Sequence, residues 1–316
     1  RSVKTLVQYA GLEQTSESAE PLHLAIGMFD GLHLGHHAVI DTALQSAHES
    51  GGKAAVLTFW PHPSALFRSQ DPTPLIMAPE TKAHILGSWG IDALITQEFT
   101  PEFAAITAED FLPTLKRHLP NLTAIYVGEN WRFGRGRRGD VAKLVSEAKK
   151  CGLTVLSIPR VNLDGEAISS TRVRRLLREG EIEQVNALLG YTYFSEGSVE
   201  SGKGLGSKIG FPTLNINWAP DLQPRLGVYA VKVGRLGSTE RIPAVANFGL
   251  RPTVEDATAP RLEAHVLGVC SFGAGDELTV EWQSFLRAEM KFADVDALQS
   301  QIAQDREQAK TWFGLA

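Results

Sequence analysis

Gly27-Met28-Phe29-Asp30-Gly31-Leu32-His33-Leu34-Gly35-His36 crowds three glycines and two histidines into one short stretch. The apolar run before it, 22–29, reads as a strand. The stretch after it, 36–50, reads as a helix stopped by Gly51-Gly52. Glycines at a strand-to-helix turn let the backbone approach a phosphate closely. The helix start adds N–H donors and positive potential. The His33 and His36 imidazoles can hydrogen-bond neighbouring phosphate oxygens. A lone loop histidine would carry no such meaning; this spacing at this kind of turn points to ATP.

Outward from that turn the chain alternates. Strands are expected at 53–59, 91–97, 123–128 and 153–159, and helices at 80–89, 107–119 and 141–151. The rhythm predicts an α/β domain of Rossmann-like type, a parallel sheet with helices on both faces. Ligands of such sheets bind beyond the carboxyl ends of the strands. The unusual segments do follow strands: the 27–36 turn, Thr58-Phe59-Trp60-Pro61-His62-Pro63, and Gly128-Glu129-Asn130-Trp131-Arg132-Phe133-Gly134.

Past residue 190 the pattern changes. Helices at 172–177 and 182–189 end at Gly190. Short strands then follow at 195–199, 214–216, 228–233, 242–247, 261–267 and 277–282, divided by glycines and prolines. This predicts an antiparallel β-barrel or compact sandwich, closed by an amphipathic helix at 295–313. A chain of 316 residues suits two domains, placed here at 1–187 and 188–316.

Further segments carry chemistry. Ser169-Ser170-Thr171 can cap a helix start, and Arg172 and Arg175, three apart, share a face. Hydroxyls, helix start and guanidiniums together suit a polyphosphate. Gly202-Lys203-Gly204-Leu205-Gly206-Ser207-Lys208-Ile209-Gly210-Phe211-Pro212 starts like a P-loop. Gly204 stands where the magnesium-binding hydroxyl belongs, and Pro212 follows where a helix should. It is therefore read as a different phosphate wrap, with Lys203 or Lys208 balancing charge. Thr213 and Asn215, two apart on an extended segment, offer hard oxygens to Mg²⁺. Glu263 and His265 share the face opposite Leu262, Ala264 and Val266, toward either a site or solvent. Phosphoryl transfer to a hydroxyl needs a base, and Glu263 is the candidate.

Together these motifs resemble the bacterial-type bifunctional riboflavin kinase/FMN adenylyltransferase family. The matching segments are GMFDGLHLGH (27–36), TFWPHP (58–63), VGENWRFGRGRRGD (127–140), ISSTRVR (168–174), GKGLGSKIGFPTLN (202–215), GVYAV (227–231), NFGLRPTV (247–254) and RLEAHVL (261–267). They run in the family's order over nearly the whole chain. The resemblance implies a nucleotidyltransferase domain followed by a riboflavin kinase barrel. It implies phosphorylation of riboflavin by Mg·ATP, with Thr213 and Asn215 on the metal and Glu263 as base. It then implies adenylylation of FMN to FAD with release of pyrophosphate. Gly27, Phe29, Asp30, Gly31, Gly35, Phe59, His62, Pro63 and Asn130 would line the flavin and nucleotide site of the first half. Arg251 and the 202–212 segment would serve the second. Met28, Trp131, Leu214 and Leu250 depart from the family's usual residues but replace none of these groups.

Other classes are disfavoured. A net charge of −5 gives no general pull toward nucleic acid or an anionic membrane. The local cluster Arg132, Arg135, Arg137 and Arg138 is too short to reverse that. No apolar run approaches the ~20 residues of a membrane helix. Two distant cysteines, Cys151 and Cys270, suit a reducing compartment, so the cytoplasm is expected. The first residues show no signal-peptide core, although a removed targeting segment stays open. The expected partners are ATP, riboflavin, FMN and FAD, with no tightly bound prosthetic group; a homo-oligomer is left open. A flavin-binding protein with one silent half is the alternative, opposed by the intact His33, His36, Thr213, Asn215 and Glu263.

Overall fold

The computed structural model describes residues 5–201, 211–250 and 260–315. The chain divides into two compact units, Arg1–Ser170 and Thr171–Ala316.

The main sheet of the first unit is built from β1 (Val7–Tyr9), β2 (Leu22–Ile26), β3 (Lys53–Trp60), β4 (Ala93–Glu98), β5 (Leu122–Gly128) and β6 (Thr154–Ile158). They form one parallel sheet in the order β1-β4-β3-β2-β5-β6. Every residue of β2 is buried, as expected of a central parallel strand covered on both faces. The helices are α1 (Leu34–Ser50), the single turn α2 (Ser64–Phe67), α3 (Pro79–Ser88), the single turn α4 (Pro101–Ala104), α5 (Ala108–His118) and α6 (Val141–Lys150). Asp140 and Thr107 cap α6 and α5 through their side chains. The chain builds leftward from β2 to β3 and β4, then jumps back to β5. That reversal puts the switch point between β2 and β5, beside the 27–36 turn.

Boundaries shifted where turn geometry took over. The strand expected at 22–29 stops at Ile26, because Phe29, Gly31 and Leu32 all have positive φ and cannot extend it. The helix expected from 36 begins at Leu34. β1 and the small hairpin of β7 (Asn162–Leu163) and β8 (Glu166–Ala167) lie in stretches too short to show a period.

The second unit opens with α7 (Ser170–Glu179), whose first residue closes the first unit, and α8 (Ile182–Leu189), ended by Gly190 in the left-handed conformation. The strands β9 (Phe194–Glu200), β10 (Leu214–Asn217), β11 (Gly227–Arg235), β12 (Ile242–Gly249), β13 (Arg261–Val266) and β14 (Glu277–Ala288) close an antiparallel barrel in the order β10-β13-β12-β11-β14-β9. Closure removes the free sheet edges. β14 runs well past the expected 282, with register shifts against β11 that bend it around the barrel. Trp282, Tyr229 and Phe248 fill the interior with edge-on ring contacts. The Trp282 indole N–H donates to Ser195 Oγ at 3.1 Å. The buried Tyr229 hydroxyl donates to Arg225 O, and burial pushes its phenol up. The C-terminal helix Val295–Phe313 sets Ala309 against Val228 and Val245. Asp305 there accepts both arms of Arg287 at 2.7 Å.

Candidate active sites

β3, β2 and β5 are neighbours in the sheet, so their carboxyl ends carry the segments after them side by side. The 27–36 turn is the centre of the three. Phe29 has φ 48° and Leu32 φ 43°, a conformation that costs a non-glycine residue about 1–2 kcal/mol. Several neighbours hold it. Met28 O accepts from Thr58 Oγ1 of β3 at 2.9 Å and from Lys82 Nζ of α3 at 2.7 Å. Asp30 is fully buried, and both its carboxylate oxygens accept from Ile76 N at 3.0 Å. Ser170 Oγ donates to Asp30 O at 2.8 Å. Gly31 combines φ 85° with the Ile76 side chain 2.9 Å from where a Cβ would lie, so only glycine fits there.

The two histidines are stacked, ring centroids 3.6 Å apart and 18° from parallel. His33 is the N-cap of α1, and its Nδ1 accepts from His36 N at 3.3 Å. An accepting Nδ1 assigns the neutral ring's proton to Nε2. The ring therefore presents an Nε2–H donor beside the first turn of α1, whose amides also carry positive potential. At Gly35 a Cβ would lie 3.1 Å from the His33 ring, so glycine leaves room for the cap. The Phe29 ring stands edge-on to His36 at 5.3 Å.

After β3, Phe59 joins a run of rings with Phe99 and Phe103 that continues through Phe111 to Trp131 and Phe133. His62 Nδ1 accepts from Ser64 N at 3.1 Å, and Pro63 stands at the start of α2. After β5, Asn130 is exposed, and its amide oxygen accepts from Arg160 Nε and Nη2. Arg132, Arg135, Arg137 and Arg138 are all exposed, on a loop closed by a Phe133–Gly139 bridge.

The helix expected after the serines is α7, which begins at Ser170, one residue after Ser169. Arg172 is buried on it; Thr171 and Arg175 are exposed, and Arg175 pairs with Glu179 at 3.0 Å. Arg174 is the second buried arginine. A spacing of three pairs Arg172 with Arg175, whereas the buried face of α7 takes in Arg174 with Val173 and Leu177.

In the barrel, Asn215 on β10 lies directly opposite Glu263 on β13 and opposite Glu200 on β9. Asn247 on β12 is opposite Glu263 in turn. Leu214, Ile216, Leu262 and Ala264 point into the core, so the polar row lies on the outer face. Glu263 is half-buried. His265 on the same face is buried, and its Nδ1–H donates to Pro212 O at 2.8 Å. That bond ties β13 to the segment carrying Thr213. Phe211 stands edge-on to the same ring. Gly202, Lys203, Gly204, Gly206, Lys208, Gly210 and Arg251 lie outside the described residues. Among the described residues no cluster of three or more His, Cys, Asp and Glu forms a metal site. The oxygens of Thr213 and Asn215 instead suit a hard cation shared with a nucleotide.

Two folds with two separate polar sites match two known families. The FAD synthetase family matches residues 15–172 and the riboflavin kinase family residues 189–313. Bifunctional riboflavin kinase/FMN adenylyltransferases are similar over almost the full length. That of Haemophilus influenzae is 36% identical, covering 96% of this chain and 98% of its own. Those of Listeria monocytogenes serovar 1/2a and Escherichia coli K12 are each 35% identical over 92% of this chain and 92% and 93% of theirs. The chain belongs to the bifunctional riboflavin kinase/FMN adenylyltransferase family. A crystal structure described as a macrolide-efflux protein from Streptococcus pneumoniae shares the fold, with a TM-score of 0.85, 26% identity and coverage of 97% of this chain and 99% of that one. Among the described residues no helix is long and apolar enough to cross a membrane.

For this family member, sequence reasoning passed over Lys82, Arg174, Glu200 and Asn247. Lys82 left a trace, a lysine on the apolar stripe of α3 with Ala83, Ile85 and Leu86. Glu200 and Asn247 left none, because only strand register brings Glu200 to Asn215 and Asn247 to Glu263.

Proposed function

We propose that the two reactions of this enzyme run on separate residue sets, each with its own ATP. The chain is a bifunctional enzyme of flavin cofactor synthesis: ATP-dependent riboflavin kinase and FMN adenylyltransferase. In the barrel, Glu263 takes the proton of the ribityl 5′-hydroxyl as that oxygen attacks the γ-phosphorus of ATP, the bond to the β,γ-bridging oxygen breaks and ADP leaves. Thr213 and Asn215 would hold Mg²⁺, which supplies charge neutralisation on the transferring phosphoryl group when bound. The observation that carries this reading is register: Asn215 and Glu263 face each other across neighbouring strands. The glycine-lysine segment 202–210 and Arg251 complete the nucleotide site by their motifs.

In the first unit the FMN phosphate attacks the α-phosphorus of ATP and pyrophosphate leaves. A phosphate monoester is already largely ionised near pH 7, so no general base is needed. Positioning and charge neutralisation carry the step. The His33 Nε2–H, His36 and the α1 amides serve the triphosphate, and by its motif Arg172 serves it too. Phe59, His62, Pro63 and Asn130 line the flavin and nucleotide. The functional boundary is kept near 188, between the two family matches. The reading includes a cytoplasmic location and no tightly bound prosthetic group.

Incubation with riboflavin, ATP and Mg²⁺, followed by chromatographic separation of the flavins, tests it. FMN should appear first and FAD follow, and chelation of Mg²⁺ should stop FMN formation. Unchanged riboflavin in the complete mixture would overturn the reading.

A further inference from the structure

Lys82 has no part in the chemistry above, yet it is buried, 6% exposed, among the apolar residues of α3. A lysine is seldom placed there without a task, because its ammonium loses its water. Its Nζ donates to Met28 O at 2.7 Å and to Thr58 Oγ1 at 3.3 Å. Thr58 Oγ1 donates to the same Met28 carbonyl at 2.9 Å. That carbonyl belongs to the peptide leading into Phe29, the first residue of the turn with positive φ. Two donors from two elements fix its plane, and with it the setting of Phe29. The Phe29 ring in turn stands against His36. The path from the buried amine to the stacked histidines therefore passes through one carbonyl and one ring.

We propose that Lys82 is a positioning residue for adenylyl transfer, holding the 27–36 turn through the Met28 carbonyl in the shape that meets ATP. This rests on the assignment of that turn to the adenylyltransferase. The charge strengthens the hold, since hydrogen bonds from an ammonium exceed those from a neutral amine. Burial pulls Lys82 down from its usual range to about 8, opposed by the Asp30 carboxylate facing it from the turn. β3 presents the uncharged Thr58, and on α3 itself Glu80 and His84 are exposed. The ammonium is thus kept at neutral pH and lost as pH rises through about 8.

The kinase reaction of the same chain is the internal control. FMN adenylylation by the intact enzyme should lose rate as pH rises through about 8, while riboflavin phosphorylation shows no matching fall. Lys82→Met keeps the length of the side chain and suits the apolar site. It should form FAD at least tenfold more slowly at pH 7, with FMN formation and the thermal midpoint of the first unit retained and the alkaline fall absent. Thr58→Val, which removes the second donor, should slow FAD formation less than Lys82→Met does and keep the alkaline fall, because the Lys82 ammonium still holds the carbonyl. An intact enzyme whose two reactions share one pH profile would overturn the proposal whether or not either variant folds. So would Lys82→Met with more than half the normal FAD rate, or equal loss of both reactions. His36→Ala separates the two levels of the argument. FAD lost in His36→Ala but normal in Lys82→Met sinks Lys82 alone; FAD normal in both sinks the assignment of the turn.

Discussion

The two regions proposed to handle phosphate each hold one prominent carboxylate, Asp30 and Glu263, and the two are set in opposite ways. In the 27–36 turn, Asp30 is buried and its oxygens accept the Ile76 amide, with Met77 N at 3.4 Å. It shapes the loop. On β13, Glu263 is half-buried on the barrel's outer face, opposite Asn215. The difference follows the two nucleophiles. A ribityl hydroxyl must lose a proton, which on the proposed reading is the task of the Glu263 carboxylate. The FMN phosphate arrives ionised, so the adenylyltransferase can commit its carboxylate to structure and offer N–H donors instead.

The sharpest way to break this comparison is a reciprocal pair of variants. Glu263→Ala should slow FMN formation by roughly 10²–10⁴-fold, the range for a general base, while added FMN is still converted to FAD. His36→Ala should slow FAD formation by roughly 10²–10³-fold, the range for losing a donor to developing charge, while riboflavin is still phosphorylated. Equal loss of both reactions in either variant would end the division of labour. A smaller effect asks whether the two regions also fail separately. Asp305→Ala leaves Arg287 without its bidentate partner at a mostly buried position. That should cost on the order of 3 kcal/mol, a shift of roughly 10 °C in the midpoint of a unit this size. On warming, FMN formation should then fail well before FAD formation. Simultaneous loss would show that the barrel's C-terminal helix supports both activities.

The same two regions explain what could be read in the sequence. The turn is local: its glycines, histidines and helix start lie within one short stretch, so the spacing alone suggested a phosphate site. Even there the motif gives no sign of the amides at 76 and 77 that bond the Asp30 carboxylate, which only the fold brings to it. Lys82 reaches Met28 from far along the chain, and nothing near the turn announces it. The barrel row is non-local throughout. Alternation put Glu263 and His265 on one face, but could not say whether that face met solvent or a site. Register sets Asn215 and Asn247 beside Glu263, with Glu200 on the far side of Asn215, and the His265–Pro212 bond draws the Thr213 segment to the same strand. The arginines of α7 show the same limit: a run of basic residues does not tell Arg174, inside, from Arg175, outside.

The smallest expected effect probes a double role within the turn. His33 caps α1 through Nδ1, and by the reading above gives its Nε2–H to phosphate. Removing the cap in His33→Ala should cost about 1 kcal/mol of stability, and His33→Ser should recover most of it, because a serine hydroxyl can accept the same amide. Thermal melting of the two variants reads that term alone. FAD formation should stay low in both, since serine restores the cap but not the reach of the imidazole. If His33→Ser recovered FAD synthesis together with stability, the imidazole would be a cap and nothing more. The stacked partner His36 would then stand alone as the histidine that meets the nucleotide.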